Sequence, residues 1–229
     1  MSRDSLEIRR LLAKGIVGQV ADDESVAIRL KAKLETEVTS VTITTATDIT
    51  VITGAGTSVY DFATYTTLGE VIDKINADGE FTARIIDGLR DIASASALVN
   101  GVITISDFGY YDALMDTSET NVIAYNLSLD RGVPVEKPIN GHRIEIKEIV
   151  YTVTISAAAR IRVYQVDAIT GQVENILYDK AGVTAVETTI NWAAGIGKIS
   201  GDDGKDLIVA VVGVGGTVTG DLTASGYSV

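Results

Sequence analysis

The sequence predicts a two-part, β-rich chain: an α+β N-terminal domain followed by an all-β sandwich, jelly-roll-like, C-terminal domain. Three observations carry that expectation. Val, Ile and Thr are abundant, which is the β-branched signature of strands. Apolar and polar residues alternate with period two through most of the chain, while one segment, "TTLGEVIDKINADG", switches to helical spacing. Glycine and aspartate turns then separate a series of short alternating runs across the second half. At 229 residues the chain can hold one large β domain or two small ones, each with its own core.

Composition narrows the function. Charged residues make up 22% of the chain, an ordinary share that does not suggest disorder. A net charge of -12 and a pI near 4.5 argue against a direct nucleic-acid surface, which needs clustered Lys and Arg to displace counterions. The chain has no cysteine, which removes disulfides, zinc–thiolate sites and cysteine nucleophiles together. The segment "MSRDSLEIRRLLAKG" has no apolar signal core, and the longest apolar run, "LIVAVVGVGG" from Leu207, is about half a membrane span. The expectation is a soluble protein that uses no cleavable signal and makes no membrane contact.

Taken in order, residues 1–24 read as an N-terminal arm or short helix, with Asp4 or Ser5 as a cap and Gly15 as a stop. Residues 25–132 read as the small α+β domain. Val26, Ile28, Leu30, Ala32 and Leu34 alternate against Arg29, Lys31, Lys33 and Glu35; a helix could use Val26, Leu30 and Leu34, but the period of two over nine residues predicts a half-exposed strand. Two strands follow, Val38 to Thr45 and Ile49 to Thr53, with a turn at Gly54 to Gly56. Thr67 and Glu70 form a capping-box pair ahead of Leu68, Val71, Ile72 and Ile75, and Gly79 stops that helix. "FTARII" reads as a strand, "GLRDIASASALV" as a helix or loop, and "GVITIS" and "VIAYNLSL" as further strands.

Both prolines, Pro134 and Pro138, fall in "DRGVPVEKPINGH", which marks the candidate boundary. Residues 139–229 then read as the β-sandwich, in six runs from "HRIEIKEIVYTVTI" to "GTVTGDLTASGYSV", with Tyr164 and Trp192 as core anchors.

A search for chemistry finds little. His142 is the one histidine and so the one candidate for imidazole general-base work, and no G-x-S-x-G elbow accompanies it. "AAGIGKIS" lacks the leading glycine and the Ser/Thr of a phosphate loop, and "GVGGTVTG" lies between strands rather than ahead of a helix. "GDDGKD" brings Asp202, Asp203 and Asp206 together, the right ligand type for calcium but without an EF-hand order, so a polar hairpin turn competes with a cation site. "NLS" at Asn126 matters only on a eukaryotic secretory route. No catalytic, cofactor or metal residue is assigned, no cofactor is implied, and the chain reads as a non-enzyme.

The stretch "TYTTLGEVIDKINADGEFTARIIDGL" resembles structural proteins of tailed bacteriophage virions, in which a "yTtLgel.d.IN" helix precedes a strand. A similar "TL…IN" helix occurs in flagellar hook-associated proteins, whose long coiled-coil helices this chain lacks. "GHRIEIKEIVYTVTISAAARIRVYQVDAITGQ" and the final "LTASGYSV" are similar to β-sandwich modules on phage heads and tails. The resemblance implies a non-enzymatic virion protein that decorates or stabilises the head or tail. It implies homo-oligomers bound to capsid or tail subunits, with residues 5 to 35 as the attachment arm. The alternative is a β-sandwich that binds a surface glycan or other host polymer.

Overall fold

The computed structural model describes residues 16–20, 26–33, 38–105, 109–116, 120, 122–126, 144–167, 170–183, 188–191, 199–202, 205–215 and 218–228. The chain divides into two compact units. One is a host unit of Met1–Ala21, Val122–Ile169 and Val173–Val229; the other is an insert of Asp22–Asn121 with Thr170–Gln172. The described residues are strand-rich and built from antiparallel sheets, consistent with a β-sandwich.

In the host unit the strands are β1 (Ile16–Val20), β9 (Val122–Asn126), β10 (Ile144–Ile155), β11 (Ala158–Val166), β12 (Val173–Val183), β13 (Thr188–Asn191), β14 (Ile199–Ser200), β15 (Asp206–Val214) and β16 (Val218–Ser228). One sheet runs β1-β16-β10-β13, with β14 added on β10; the other runs β12-β11-β15-β9. The pairing is nested. β1 bonds β16, β9 bonds β15, β10 bonds β13 and β11 bonds β12, so outer strands enclose inner ones as in a folded ribbon. Two further pairings, β10 with β16 and β11 with β15, roll that ribbon into two sheets.

One apolar core joins the two sheets. Ile146, Ile149, Tyr151 and Val153 of β10 and Leu222 of β16 meet Ile161 and Val163 of β11 and Leu207, Val209 and Val211 of β15. Alternation accounts for Ile149, Tyr151 and Val153, because period two turns every second side chain inward, and a bulge between Ile146 and Glu148 brings Ile146 onto the same face. β15 departs from alternation and is buried from Asp206 through Val211. A central strand covered on both faces reads as a continuous apolar run, which is what "LIVAVV" is.

Gly220 shows how tightly β16 approaches β10. Its φ is +123°, and a Cβ built there would lie 2.1 Å from the Thr152 carbonyl oxygen. Only glycine fits both the conformation and the space.

In the insert the strands are β2 (Val26–Ala32), β3 (Val38–Thr44), β4 (Asp48–Thr53), β5 (Gly56–Asp61), β6 (Phe81–Ile85), β7 (Gly101–Ile103) and β8 (Tyr111–Leu114). They form a three-stranded sheet, β6-β2-β8, and a four-stranded sheet, β5-β4-β3-β7. Two helices accompany them, α1 (Leu68–Asp78) and the single turn α2 (Ser94–Ala97).

Helix α1 is held at each point its sequence marks. The Thr67 hydroxyl accepts from the Glu70 N–H, and the Glu70 carboxylate accepts from the Thr67 N–H, the two halves of a capping box. Gly79 closes the helix at φ 80° in the left-handed region. Leu68, Val71, Ile72 and Ile75 are buried. The Asn76 amide both donates to the Ala83 carbonyl, at 3.0 Å, and accepts from the Ala83 N–H, at 2.8 Å. β6 is an edge strand bonded on one side by β2, so Asn76 closes part of its open side. Behind β2, Asp87 is fully buried, and its carboxylate accepts from the Val26 N–H at 2.8 Å.

The units differ from the expected ranges in three places. The span 1–24 contributes a strand, β1, to the host sheet, while residues 1–15 lie outside the described residues. The span 25–132 includes β9, which bonds β15 and so groups with the host unit. The division falls at Ala21/Asp22 and Asn121/Val122, whereas Pro134 and Pro138 lie outside the described residues, as does Trp192. The host unit therefore draws on both ends of the chain, not on 139–229 alone.

Replacing Gly220 by Ala places a methyl group on the Thr152 carbonyl, and the expected outcome is loss of the host unit's cooperative thermal transition. Thr67→Ala removes one cap bond and is expected to lower stability by about 1 kcal/mol in urea unfolding, and Asn76→Ala by about 1–3 kcal/mol because it uncovers two backbone groups of Ala83.

Candidate functional site

The four-stranded sheet of the insert has two unlike faces. Val41 and Ile43 of β3, Ile49 and Val51 of β4 and Tyr60 of β5 are buried on one. The register aligns the opposite face in rows. Val59 lies across from Thr50, Thr50 from Thr42 and Thr42 from Val102, a line over all four strands. A second row is Thr57, Ile52 and Ser40; a third is Asp61, Asp48 and Thr44. Val59 is 55% exposed, Val102 67% and Ile52 40%. Burying β-branched side chains is the ordinary tendency, so three on one outward face form the most apolar exposed sheet surface described in the insert.

The two aspartates at the end of this face are engaged locally. Asp48 accepts from the Thr50 hydroxyl, and Asp61 accepts from the Ala63 N–H and the Thr64 hydroxyl. Those bonds, the Ala63 N–H first, hold the Asp61 carboxyl below its ordinary range. The Asp61 bonds stay within its own turn, whereas the Asp48 carboxylate reaches Thr50, a member of the first row.

Behind the same sheet Tyr60 is 1% exposed, and its hydroxyl lacks a hydrogen-bond partner among the described residues. Burial, with the Asp78 and Glu80 carboxylates adding to it, pushes its phenol up to about 12.

A second cluster sits on the three-stranded sheet. Arg29 of β2 binds Asp112 of β8 through two bonds of 2.6 Å, and its guanidinium lies 4.9 Å from the Tyr110 ring centre. The Lys31 ammonium lies 5.5 Å from the same ring. The fork-to-carboxylate geometry and the two cations on one ring satisfy each other. The cluster ties β2 to β8 and presents no open donor set for a ligand.

The acidic stretch of the host unit is likewise internally engaged. Gln165 of β11 donates to the Asp202 carboxylate at 2.9 Å and accepts from the Asp202 N–H at 2.9 Å. Asn126 of β9 donates to Asp206 at 3.0 Å, and both residues are buried. Lys205 binds Glu174 at 2.6 Å and Asp167 at 3.1 Å. Asp202 and Asp206 thus have separate amide partners, with an ammonium between neighbouring carboxylates. No group of three potential metal ligands occurs among the described residues. Asp203 lies outside them, and His142 does too. Asn126, the sequon residue, is a buried strand residue rather than a loop acceptor.

Charge divides unevenly between the units. Seventeen of the 31 carboxylate residues but six of the 19 cations fall in the insert, a net of -11, which leaves -1 for the host unit. No helix among the described residues is long and apolar enough to cross a membrane.

No family model and no curated protein matches the sequence. Among solved structures, a chain of infectious bursal disease virus, Gt strain, is 11% identical with a TM-score of 0.14, over 95% of this chain and 57% of that one. A mutant VP2 protein of the same virus, from derived T=1 particles, is 12% identical with a TM-score of 0.15, over 89% and 54%. The chain spans just over half the length of those two, and a likeness this slight carries no argument about fold or activity.

The titrating groups set a pH profile. Hydrogen bonds hold the carboxyls of Asp61, Glu70 and Asp179 below their ordinary values; the first-ranking causes are the Ala63 N–H, the Thr66 hydroxyl and the Arg160 guanidinium. Groups lowered in the folded state contribute stability above the ordinary carboxylate range and lose it as pH falls through their lowered values. Tyr60 has the opposite sign: its contribution is full below pH ~10 and disappears as pH rises toward the folded value. Tyr60→Phe is therefore expected to flatten the alkaline fall in urea midpoint. Glu70→Gln is expected to flatten the acid fall.

Proposed function

We propose that the chain is a non-enzymatic structural protein of a tailed bacteriophage virion, attached to the head or tail and acting as a homo-oligomer. The host unit is read as a jelly roll. Its eight main strands in chain order, β1, β9, β10, β11, β12, β13, β15 and β16, pair first with last, second with seventh, third with sixth and fourth with fifth. Two interlocked Greek keys have that order, and viral capsid domains are among their common bearers. The insert is read as a small α+β module lodged in the connection between the first two strands.

The observation that carries this reading is the nested pairing, taken with the phage-like text of the α1 segment. Asn76 gives that text a physical meaning, because the "IN" of the motif supplies the amide that closes the edge of β6. The clusters around Arg29 and Asp202 support a structural role as well, since their charges are spent on neighbouring strands. Jelly rolls also serve lectins, so fold alone does not separate a virion protein from a glycan binder.

Mass spectrometry of purified particles is expected to find the chain in fixed stoichiometry with capsid or tail subunits. Retention of the purified protein by a host polysaccharide column, with the protein absent from particles, would move the assignment to the glycan-binding alternative. Substrate turnover by a lone protomer would overturn both.

A further inference from the structure

We propose that Asn100–Gly101 is a self-modification site, where the Gly101 backbone nitrogen attacks the Asn100 side-chain amide and converts it, through a cyclic imide, to aspartate or isoaspartate. The inference is independent of the virion reading, because it is read from the mass and linkage of one peptide.

Seven asparagines occur in the chain, and two of them, Asn100 and Asn140, are followed by glycine. Asparagine is a thermolabile residue. Its internal nucleophile is the nitrogen of the next residue, and glycine leaves that nitrogen unshielded by a Cβ. Asn140 lies outside the described residues. Elsewhere the amide is guarded. Asn76 precedes Ala77 and is held on both sides by the Ala83 backbone. Asn126 is buried and bonded to Asp206. Asn175 precedes the β-branched Ile176.

Three structural observations single out Asn100. First, Asn100 and Gly101 are both exposed, at the start of β7, the end strand of its sheet. Water and base therefore reach the amide. Second, Gly101 has a φ of +142°, and a Cβ built there would meet nothing within 4 Å. A ring closing at this point displaces no packed neighbour. Third, the Thr45 N–H donates to Asn100 Oδ1 at 3.3 Å. That oxygen takes up the negative charge when the amide carbon is attacked, so a fixed N–H aimed at it acts as an oxyanion donor. The bond is long for a neutral pair, and it strengthens as the oxygen becomes charged.

The step balances without any further reactant than water. Base removes the Gly101 amide proton, the nitrogen bonds to Asn100 Cγ, and the Cγ–Nδ2 bond breaks with release of ammonia. Water then opens the ring. Attack at Cγ leaves aspartate in the normal chain, and attack at the Asn100 backbone carbonyl leaves isoaspartate. Either product adds a carboxylate to an insert already at a net charge of -11. Isoaspartate also lengthens the backbone ahead of β7, whose pairing with β3 rests on Gly101, Val102 and Ile103.

The test compares the full chain with Asn100→Gln and Thr45→Pro, each folded and in urea, in neutral and mildly alkaline buffer. Thr45→Pro removes the donor at a turn that accepts it. The Thr47 N–H bonds the Thr44 carbonyl and Ala46 has a φ of 61°, which fits Thr45 as the second residue of a type II turn, where proline is common. The peptide around position 100 is followed by mass spectrometry and by labelling with isoaspartyl methyltransferase. In the folded chain Asn100 is expected to become acid and to take the label, about tenfold faster per pH unit because the attacking nitrogen must lose a proton. Thr45→Pro is expected to slow this by roughly fivefold or more in the folded chain and to leave the rate in urea unchanged. Asn100→Gln should take no label there. Survival of the Asn100 amide in the folded chain, over a time in which it is lost in urea, overturns the proposal. Equal folded rates with and without the Thr45 N–H overturn it as well.

Discussion

The host unit depends on the double pairing of β16, which bonds β1 on one side and β10 on the other. Without β16 the first sheet has no centre. The inner side chains Val218 and Leu222 leave the core, and β1 has no partner strand. Gly220 marks the cost of that position. The strand interior normally disfavours glycine, but here the Thr152 carbonyl occupies the space a Cβ needs. A local weakness is retained because the tertiary approach demands it.

The insert is organised around a different constraint, the closing of an edge. β6 has one strand neighbour, and α1 is held beside it by an exposed asparagine whose amide imitates a strand's N–H and C=O. The capping box fixes where the helix starts, and Gly79 fixes where it ends, so Asn76 arrives in register with Ala83. Leu68 and Gly69 extend the same logic: their N–H groups, orphans of the first turn, donate to the carbonyls of Ile92 and Arg90.

Legibility in the sequence followed the range of the interactions. Helix α1 was readable because the two halves of its capping box, Thr67 and Glu70, lie three residues apart, and β2, β3, β4, β6 and β10 because alternation is local. β8, four residues long in "YDAL", carries too few positions for a period to register. β5 begins at Gly56, which reads as the end of a turn, and four of its six residues are polar or glycine. β1 and β9 differ in kind. "VIAYN" is a legible strand, yet nothing in it names β15 as its partner, and the prolines drew the boundary past it. The candidate surface shows the same division. Exposed Val59 and Val102 look like ordinary strand residues in sequence, and only the register sets them in one row with Thr50 and Thr42. The aspartates of "GDDGKD" stood out as a cluster, while the Gln165 and Asn126 amides that engage two of them come from 37 and 80 residues away.

The pairing of the first described strand with the last has a consequence during synthesis on the ribosome. The insert is one continuous segment, Asp22–Asn121, apart from Thr170–Gln172, so most of it can fold while the rest of the chain is still being made. β1 cannot; it emerges early and finds its partner only when residues 222–226 appear some 200 positions later. Closing so long a loop is slow, and until then β1 lacks the strand it pairs with. The insert is thus free to fold first, while the sheet whose strands flank it in sequence closes only once β16 is made.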